Sequence, residues 1–588
     1  MIKYLRPYIP MIAAAIVLVF LQCLTQLMLP DLMSKMVDNG IIGRDIDYIY
    51  KMGAYMLILT LFTMVFSTAA NYFTSKSASG FAQDLRKDMF EKINSFSIKE
   101  VEKFGTSTLV TRTANDVSQI QTVIMMMLRV VVLSPLMFLG SFLLMLQKDV
   151  SLSLVVLSFL PLIGLFLYLV TRKIIPNIKK MQDRLDHLSR TLRERLTGVR
   201  VIRAFNKEET ADRRYKEANE DLTEISLKVN KLAAFLFPGM MFLMNMATLA
   251  VLWFGGRQIE SGDLSIGNLM AVIQYVTMIM MSAVMISFVF LLIPRAQVSV
   301  RRISEVLETK TTIRDPQNPA DTDASQTKDT PAIEFKNVSF KYSDSEQEIL
   351  KNISFTVAPG ETVAVIGGTG SGKTTLVHLI PRFYDVCCGA VYVNGTDVRR
   401  ILQTDLRQKI GFVPQTALLF SGTIAENIRY GKEEATEEEI LKALETAQAL
   451  DFVKEMENGI HSYISQGGTN VSGGQKQRLS IARAVVKRPE IYIFDDNFSA
   501  LDYKTDANLR QALKSEMRGA SAIIVAQRVS TIQNVSKIIV LKDGEIVGIG
   551  TDAQLRQNCG VYKKIAESQE STKTQETAES QENAEAVL

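Results

Sequence analysis

The sequence predicts an α-helical six-span membrane domain with long cytosolic helix extensions, followed by an α/β domain. The chain of 588 residues is 47% hydrophobic and 22% charged, which is too apolar for a soluble enzyme and too charged for a chain wholly in a membrane. Its long apolar stretches all lie in the first half, and short β-branched runs alternate with helical ones after Pro331. The formal charge of +4, without a basic stripe carrying aromatic residues, predicts no nucleic-acid partner.

Six apolar stretches are long enough to cross about 30 Å of hydrocarbon. They are Met11–Leu29, Met52–Phe73, Val123–Leu146, Ser151–Val170, Leu232–Phe254 and Leu269–Ile293. Lys3 and Arg6 precede the first stretch, as in a secretory signal, but no small-residue cleavage site follows it. This pattern favours an uncleaved first helix.

The charges of the connecting segments predict the orientation. Ser75–Ser118 and Thr171–Lys231 are rich in Lys and Arg, whereas Gln147–Val150 and Gly255–Gly267 carry one basic residue each. By the positive-inside rule, the basic segments and both termini are cytosolic. We therefore expect a multi-pass protein of the cytoplasmic membrane with its α/β domain in the cytosol.

The two basic connections are much longer than ordinary loops and keep a helical apolar period. In the second connection this period is formed by Leu185, Leu188, Leu192, Leu196 and Val199. Paired helices at about 1.5 Å per residue would carry the spans about 30 Å into the cytosol. A pair of solvated linkers is the alternative.

Composition divides the chain into a membrane domain (1–309), a polar, Pro-rich linker (310–331), an α/β domain (332–566) and a tail (567–588). The tail consists mostly of Glu, Ser, Gln and Thr, which predicts disorder. Neither a disulfide framework nor a structural metal is expected, because the four cysteines show no C-x-x-C spacing and only three histidines accompany them. The cysteines are Cys23, Cys387, Cys388 and Cys559.

A phosphate-binding loop follows the buried strand Thr362–Ile366. The loop has the pattern G-x-x-x-x-G-K-[ST] and consists of Gly367, Gly368, Thr369, Gly370, Ser371, Gly372, Lys373 and Thr374. Its glycines let backbone N–H groups face phosphates, Lys373 bridges the β- and γ-phosphates and Thr374 offers a hydroxyl to Mg²⁺. A second strand, Ile491–Phe494, ends in Asp495, which would hold the Mg²⁺ through water; an ordinary strand-end carboxylate is the alternative. The site predicts binding of a nucleoside triphosphate.

The segment Val471–Arg478 is not required by a generic P-loop fold. By itself, its S-G-G-Q run is explained as a loop and N-cap before the helical LSIARAVV. Its place between Lys373 and Asp495 favours a functional role instead. A second anion-binding helix N-terminus suggests two such domains that face each other, each covering the nucleotide of the other.

This set of motifs resembles the ATP-binding cassette (ABC) transporters, and the six preceding spans resemble the exporter type of that family. The resemblance covers Met1 to about Glu567 and implies an α/β P-loop ATP-binding cassette domain. By resemblance, Tyr342 stacks on adenine, Gly367 to Thr375 form the Walker A loop, and Gln415 is the Q-loop residue that senses Mg²⁺ and transmits to the membrane domain.

The same resemblance assigns the other motifs. Ser472, Gly473, Gly474 and Gln475 correspond to the signature, Asp495 to the Walker B aspartate, and Ser499, Ala500, Leu501 and Asp502 to the D-loop. The implied cofactors are ATP and Mg²⁺, with Thr374, Gln415 and Asp495 at the metal. Phe96–Gly105 and Ala204–Ala211 resemble the coupling helices that dock on nucleotide-binding domains.

Two positions depart from the family pattern. The family places Glu after the Walker B aspartate as the base that polarises attacking water, but this chain has Asp496. One missing methylene withdraws the carboxylate by about 1.5 Å, and a general base must lie within hydrogen-bond reach of its water. The family also places His in the switch loop, where this chain has Gln527, and His461 is its last histidine. We therefore expect slow hydrolysis at this site.

Two changes at one site, beside an intact Walker A loop and signature, resemble heterodimeric bacterial ABC exporters. In these, one subunit carries a degenerate ATP site and its signature completes the catalytic site of the other. The resemblance implies a second half-transporter as the partner. A homodimer with naturally weak activity is the alternative.

The spans give limited information about the substrate. Their methionines are Met125, Met126, Met127, Met240, Met241, Met244, Met246, Met278, Met280, Met281 and Met285. Core packing explains most of them, although a polarizable wall also suits varied apolar guests. Arg129 in the third span faces a cavity or a partner, or it snorkels or pairs structurally; Asn245 and Gln274 add polar groups. The resemblance favours multidrug export of hydrophobic or amphipathic small molecules across the cytoplasmic membrane, with the lipid bilayer and these molecules as partners. A lipid or peptide exporter half and an ATP-binding regulatory or sensor subunit are the alternatives.

Overall fold

The computed structural model describes residues 1–320, 330–342, 347–498 and 502–570. The chain forms two compact units. The first consists of Met1–Asn94 and Gly105–Thr309, and the second of Ser95–Phe104 and the chain from Lys310 onward. The short segment Ser95–Phe104 thus belongs to the second unit, although it lies between two membrane-type helices in the sequence.

The first unit contains six helices long and apolar enough to cross a membrane. They span Lys3–Ile42, Ile46–Asn94, Thr106–Lys148, Val150–Thr197, Glu208–Glu260 and Ile266–Glu308. Each contains one of the predicted apolar stretches, so the helical six-span fold is confirmed.

These helices extend far beyond their apolar stretches. The second helix continues from Phe73 to Asn94, about 30 Å at 1.5 Å per residue. The fourth and fifth helices pair along their polar halves through two ion pairs, Arg184 with Asp221 and Arg195 with Asp212, each at 2.6 Å. The second basic connection is therefore a helical hairpin rather than a solvated linker.

The core of the first unit lies among its third to sixth helices, where Met145, Leu152, Val251 and Tyr275 are fully buried. Three stretches adopt π-helical geometry: Met36–Ile42, Arg112–Asp116 and Met127–Val131. π-helical turns inside α-helices are frequent at functional sites. The third stretch contains Arg129, whose side chain is exposed.

The second unit contains twelve strands in its described residues. They are β1 (Ile333–Phe340), β2 (Leu350–Val357), β3 (Thr362–Gly367), β4 (Cys388–Val393), β5 (Thr396–Asp397), β6 (Ile410–Val413), β7 (Gly422–Thr423), β8 (Tyr463–Ile464), β9 (Ile491–Asp495), β10 (Ser521–Val525), β11 (Lys537–Lys542) and β12 (Glu545–Gly550). The main sheet has the order β12-β11-β3-β10-β9-β6, and β2-β1-β4-β5 form an antiparallel sheet.

The main sheet is parallel from β11 to β6, with both faces covered, as expected for an α/β nucleotide-binding fold. Val525 of β10 pairs with Val365 of β3 on one side and with Asp495 of β9 on the other. Parallel strands end at one edge, so this register brings the segments after β3, β9 and β10 together. The predicted α/β class is confirmed.

The helices of this unit connect and cover the strands. They are Ile98–Phe104, Lys373–Leu379, Gln403–Gln408, Ile424–Arg429, Glu437–Thr446, Leu450–Glu455, Gly473–Val485, Tyr503–Glu516, Val529–Ile532, Asp552–Asn558 and the helical residues 560–570. Capping boxes at Thr423, Thr436, Ser472 and Thr551 fix the starts of four of them.

Two stretches differ from their predicted character. Residues 310–320, expected as a free linker, belong to the second unit: Ile313 is buried, and the backbone N–H of Ala320 donates to the carbonyl of Arg400 at 2.9 Å. Residues 567–570, expected to belong to a disordered tail, are part of a helix that covers residues 560–570. Residues 321–329 and 571–588 lie outside the described residues.

Candidate functional site: a nucleotide pocket with an amide-capped carboxylate

The Walker A loop lies where the sequence predicts it, between β3 and the helix Lys373–Leu379. Gly370 and Gly372 have φ of +79° and +96°, a region that favours glycine. A Cβ on Gly367 would lie 2.2 Å from the carbonyl oxygen of Leu541. The loop therefore needs glycine at these positions to pass close to the sheet and turn into the helix.

Lys373 is buried beneath this loop. Its Nζ donates to the carbonyl oxygens of Gly367 and Gly368, both at 2.8 Å. Burial lowers the pKa of Lys373, while the carboxylates of Asp496 and Asp495 oppose the shift. The ammonium is thus held at the loop by carbonyl acceptors.

Asp495 ends β9 and is 1% exposed. Its Oδ1 accepts from the Thr374 hydroxyl at 3.1 Å, and its Oδ2 has no hydrogen-bond partner among the described residues. Nε2 of His378 lies 4.0 Å from this oxygen, and burial lowers the pKa of that imidazole, which favours its neutral form. Burial, together with the charge of Asp496, raises the pKa of Asp495 to about 6, although the Thr374 hydrogen bond opposes the shift.

These two side chains fit a divalent cation. A buried carboxylate oxygen without a protein donor, next to a threonine hydroxyl, is the kind of oxygen set that Mg²⁺ uses beside substrate phosphates. Gln415, the third expected metal residue, is exposed and follows β6. Its Nε2 lies 3.4 Å from Oδ2 of Asp496, so the structure brings it to the same pocket.

Asp496 is the centre of the unusual part of the site. It is 7% exposed and adopts a left-handed backbone with φ of +53°. Its Oδ2 accepts from Nε2 of Gln527 at 2.6 Å, a short, charge-assisted bond, and from the Gln415 amide at 3.4 Å. The two positions that depart from the family pattern therefore contact each other directly, and the carboxylate at the base position is capped by amide donors.

The signature residues begin the helix Gly473–Val485. The Ser472 hydroxyl accepts from the Gln475 N–H at 3.3 Å, and the Gln475 side chain accepts from the Ser472 N–H at 2.8 Å. Gly474 lies in the same first turn. Ser472 and Gly473 are exposed, and a Cβ on Gly473 would meet nothing within 4 Å. The N-terminus of this helix is thus capped and exposed.

The remaining predicted residues are partly described. The Tyr342 hydroxyl lies 3.1 Å from that of Thr375, and its ring packs edge-on against Phe340 and Tyr384. In the D-loop, Ser499, Ala500 and Leu501 lie outside the described residues, whereas Asp502 caps the next helix by accepting from the Thr505 N–H at 3.0 Å.

The first predicted coupling segment packs within the second unit. Ile98 contacts the buried cluster around β1 and β3, and the Tyr384 hydroxyl donates to Glu102 at 3.3 Å. Glu100 is buried and accepts hydrogen bonds from Ser97 and Thr312. Burial would raise the pKa of Glu100, but these hydrogen bonds hold it below its ordinary value. The sequence pattern predicts the segment but carries no signal for the roles of Glu100 and Glu102.

The second predicted coupling segment is exposed. Phe205 follows the helix Val199–Ala204 and is 71% exposed, and Leu196 is 66% exposed. The second unit also has exposed apolar side chains, Leu418, Phe420 and Tyr430, beside its signature helix. Gln569, which the sequence pattern does not single out, contacts the segment that carries Gln527.

Two family descriptions match the chain. Residues 12–284 match the ABC transporter transmembrane region, and residues 350–499 match the ABC transporter family. A solved bacterial Atm1-family ABC exporter with ATP bound has the same fold, with a TM-score of 0.79 and 24% identity over 95% of this chain and 97% of that one.

Curated relatives match over nearly their whole length. The chain is 38% identical to an ABC transporter ATP-binding protein of Mycobacterium tuberculosis, Rv1273c, over 97% of this chain and 98% of the relative. It is 30% identical to an ATP-dependent lipid A-core flippase of Syntrophus aciditrophicus, covering 97% and 94%. It is also 30% identical to the putative multidrug export protein YgaD of Bacillus subtilis, covering 96% and 97%.

Proposed function

The chain belongs to the ABC transporter family, and we propose that it is one half of a heterodimeric exporter that moves hydrophobic or amphipathic compounds across the cytoplasmic membrane. In this proposal the chain binds ATP with Mg²⁺ at its own Walker A loop, hydrolyses it slowly, and supplies an intact signature to the catalytic site of the partner. Both termini and the second unit are cytosolic.

The observation that carries the proposal is the 2.6 Å bond from the Gln527 amide to Asp496, beside an intact Lys373, Thr374 and Asp495. A general base must accept a proton from water, but one of the two carboxylate oxygens of Asp496, Oδ2, is already held by two amide donors, which lowers the basicity of the group. A glutamine amide also lacks the imidazole of the family switch residue. The pocket therefore suits binding better than turnover.

Each of the other residues has a defined task in this site. Lys373 neutralises phosphate charge, the loop N–H groups orient the phosphates, and the Tyr342 ring supports the adenine. When bound, Mg²⁺ would supply neutralising charge at the phosphates. Thr374 and Asp495 would hold the ion, and Gln415 would respond to its presence through the loop after β6.

An exposed helix N-terminus and exposed apolar side chains support the presence of a partner chain. Gly473 begins a capped helix whose N-terminus carries a positive dipole and faces no described atom within 4 Å of its missing Cβ. Phe205 is an apolar side chain that a partner would cover, and Leu418, Phe420 and Tyr430 form an apolar face that would receive the matching hairpin of a partner. A weak homodimer has the same surfaces, so the asymmetry rests on Asp496 and Gln527.

The substrate proposal rests on the spans and the relatives. Met125, Met126 and Met127 are each 37% to 43% exposed beside Arg129, whereas Met240 and Met280 are buried in the core. The three exposed methionines support a polarizable apolar surface next to the charge of Arg129, whereas the two buried methionines support core packing alone. One relative is named a lipid A-core flippase and another a putative multidrug exporter, so a lipid exporter is the second candidate.

Transport assays test the proposal. The chain would be co-expressed with a second half-transporter, and inside-out vesicles would be supplied with ATP and either a hydrophobic dye or a headgroup-labelled lipid. Dye accumulation supports the multidrug type, and lipid translocation supports the second candidate. Nucleotide binding without either flux would reject export and favour a regulatory or sensor subunit.

A further inference from the structure

The last described residues of the chain contact residues 527–529, the switch segment that carries Gln527 at the nucleotide site. The Oε1 of Gln569 accepts from the backbone N–H of Val529 at 2.8 Å, and its Nε2 donates to the backbone carbonyl of Gln527 at 2.7 Å. One amide side chain therefore satisfies a donor and an acceptor two residues apart, as a neighbouring strand would.

Gln569 stands on a well-anchored helix. In residues 560–570, Tyr562 and Ala566 are almost fully buried in a cluster that also contains Ala526 and Val529 of the switch segment. The Tyr562 hydroxyl donates to Asp552 at 2.5 Å, and Arg556 bridges Asp552 and Glu570, both at 2.9 Å. The helix is thus fixed on both sides of its contact with the switch segment.

The same switch residue contacts the capped carboxylate. The side chain of Gln527 donates to Asp496 at 2.6 Å, while its backbone carbonyl accepts from Gln569. A bond this short depends on the position of the backbone from which the side chain extends. If the segment moved away, the Asp496 carboxylate would lose the 2.6 Å hydrogen bond from Gln527.

We propose that Gln569 is a positioning residue that holds segment 527–529 so that the Gln527 amide stays against Asp496, which makes ATP affinity at this site depend on the C-terminal helix. The inference rests on the proposed role of Gln527 at the ATP site. Loss of the Gln527 amide removes one donor from the Asp496 carboxylate beside the position expected for the γ-phosphate, so that more of its negative charge acts on that phosphate. The effect is therefore selective for ATP over ADP, which lacks that phosphate.

The test uses the full-length chain in nanodiscs and calorimetric titration with ATP and with ADP, each with Mg²⁺. Gln569→Ala removes both hydrogen bonds, and Lys564→Ala changes an exposed residue of the same helix as a matched control. We expect Gln569→Ala to weaken ATP binding about five- to tenfold and ADP binding less than about twofold. The control variant should bind both nucleotides as the wild type does.

A double-mutant cycle separates positioning from simple packing. Gln527→Ala keeps the backbone carbonyl that Gln569 contacts but removes the side chain through which Gln569 acts. Gln527→Ala should therefore weaken ATP binding by a similar factor, and adding Gln569→Ala should weaken it no further. Two results would overturn the inference and leave Gln569 as a structural contact only. One is a loss of ATP affinity in the double variant equal to the product of the two single-variant losses. The other is that Gln569→Ala weakens ATP and ADP binding equally and also lowers thermal stability.

Two further outcomes distinguish the inference from the proposed function. If Gln527→Ala weakens ATP binding but Gln569→Ala does not, only the inference is rejected. If Gln527→Ala has no effect, the proposed role of Gln527 fails and the inference fails with it. Hydrogen exchange of the wild type gives a check that needs no variant: the Val529 amide must be protected, and rapid exchange there would also overturn the inference.

Discussion

A charge placed at Gly473 should separate the stability of this chain from the activity of the pair. Gly473 is the first residue of a 13-residue helix, it is exposed, and a Cβ there would meet nothing within 4 Å. Gly473→Asp replaces a poor helix former and adds an acidic group in the first turn, which the helix dipole favours. The free energy of unfolding of the chain should therefore change by less than about 1 kcal/mol.

The effect on the pair should be much larger. In the proposed arrangement this helix N-terminus faces the γ-phosphate of the ATP held by the partner, where charge develops during hydrolysis. Removing one such stabilising donor typically costs about 10²- to 10³-fold in turnover, and a carboxylate adds repulsion. We expect ATPase of the pair to fall by at least about 10²-fold, measured by phosphate release under saturating ATP.

Matched variants make this result specific. Gly473→Ala adds bulk without charge and should reduce ATPase less than Gly473→Asp, and Asp496→Glu should change it little, because Gln527 still lacks the switch imidazole. Circular dichroism and thermal unfolding of each variant check the fold. The reasoning is refuted if the pair that carries Gly473→Asp hydrolyses ATP at the wild-type rate while Asp496→Glu doubles the ATPase rate of the pair. These results would place the active site on this chain.

Three further predictions follow from the same structure. Lys373→Ala should reduce dye transport less than the equivalent change in the partner. It should not be neutral, because ATP bound at the weak site holds the nucleotide-binding domains of the two subunits together. Equal abolition of transport by both changes would contradict the asymmetry. Phe205→Asp should leave the fold intact, since the ring is 71% exposed, yet reduce co-purification of the partner, whereas unchanged co-purification would exclude this tip from the interface. The pKa of Glu100 is lowered in the folded chain, so its stabilisation is present above its ordinary pKa of about 4.3 and is lost as pH falls through the folded value. Between about pH 5 and pH 3, thermal stability should therefore decrease more in the wild type than in Glu100→Gln, and equal decreases would contradict this.

The helices and the Walker A loop were predictable because their signals are local. Apolar length marks each span, and the glycine spacing before Lys373 marks a loop that must turn without side chains. The paired helices beyond the membrane were predictable from the period that includes Leu192, since that period persists outside the apolar stretch. Apolar side chains of these extensions, such as Leu192 and Leu196, are exposed in this chain.

The contacts within the site depend on tertiary register and were not predictable from spacing. Asp496 and Gln527 were identified as separate departures from a family pattern, and their 2.6 Å contact follows from the pairing of Asp495 with Val525. Gln569 was missed because a polar Glu- and Gln-rich segment resembles a disordered tail. Its helix is held by Tyr562, whose burial composition alone does not reveal.

The central claim is that this chain binds ATP at a site built for slow turnover, and single-turnover hydrolysis by the isolated full-length chain tests it most directly. The chain would be mixed in excess with labelled ATP and Mg²⁺ in nanodiscs, with bound ATP and released product measured in parallel for the wild type and for the Lys373→Ala variant. The account predicts ATP retention that depends on Lys373, with hydrolysis at least about tenfold slower than in the assembled pair. Hydrolysis as fast as that of the pair would contradict it.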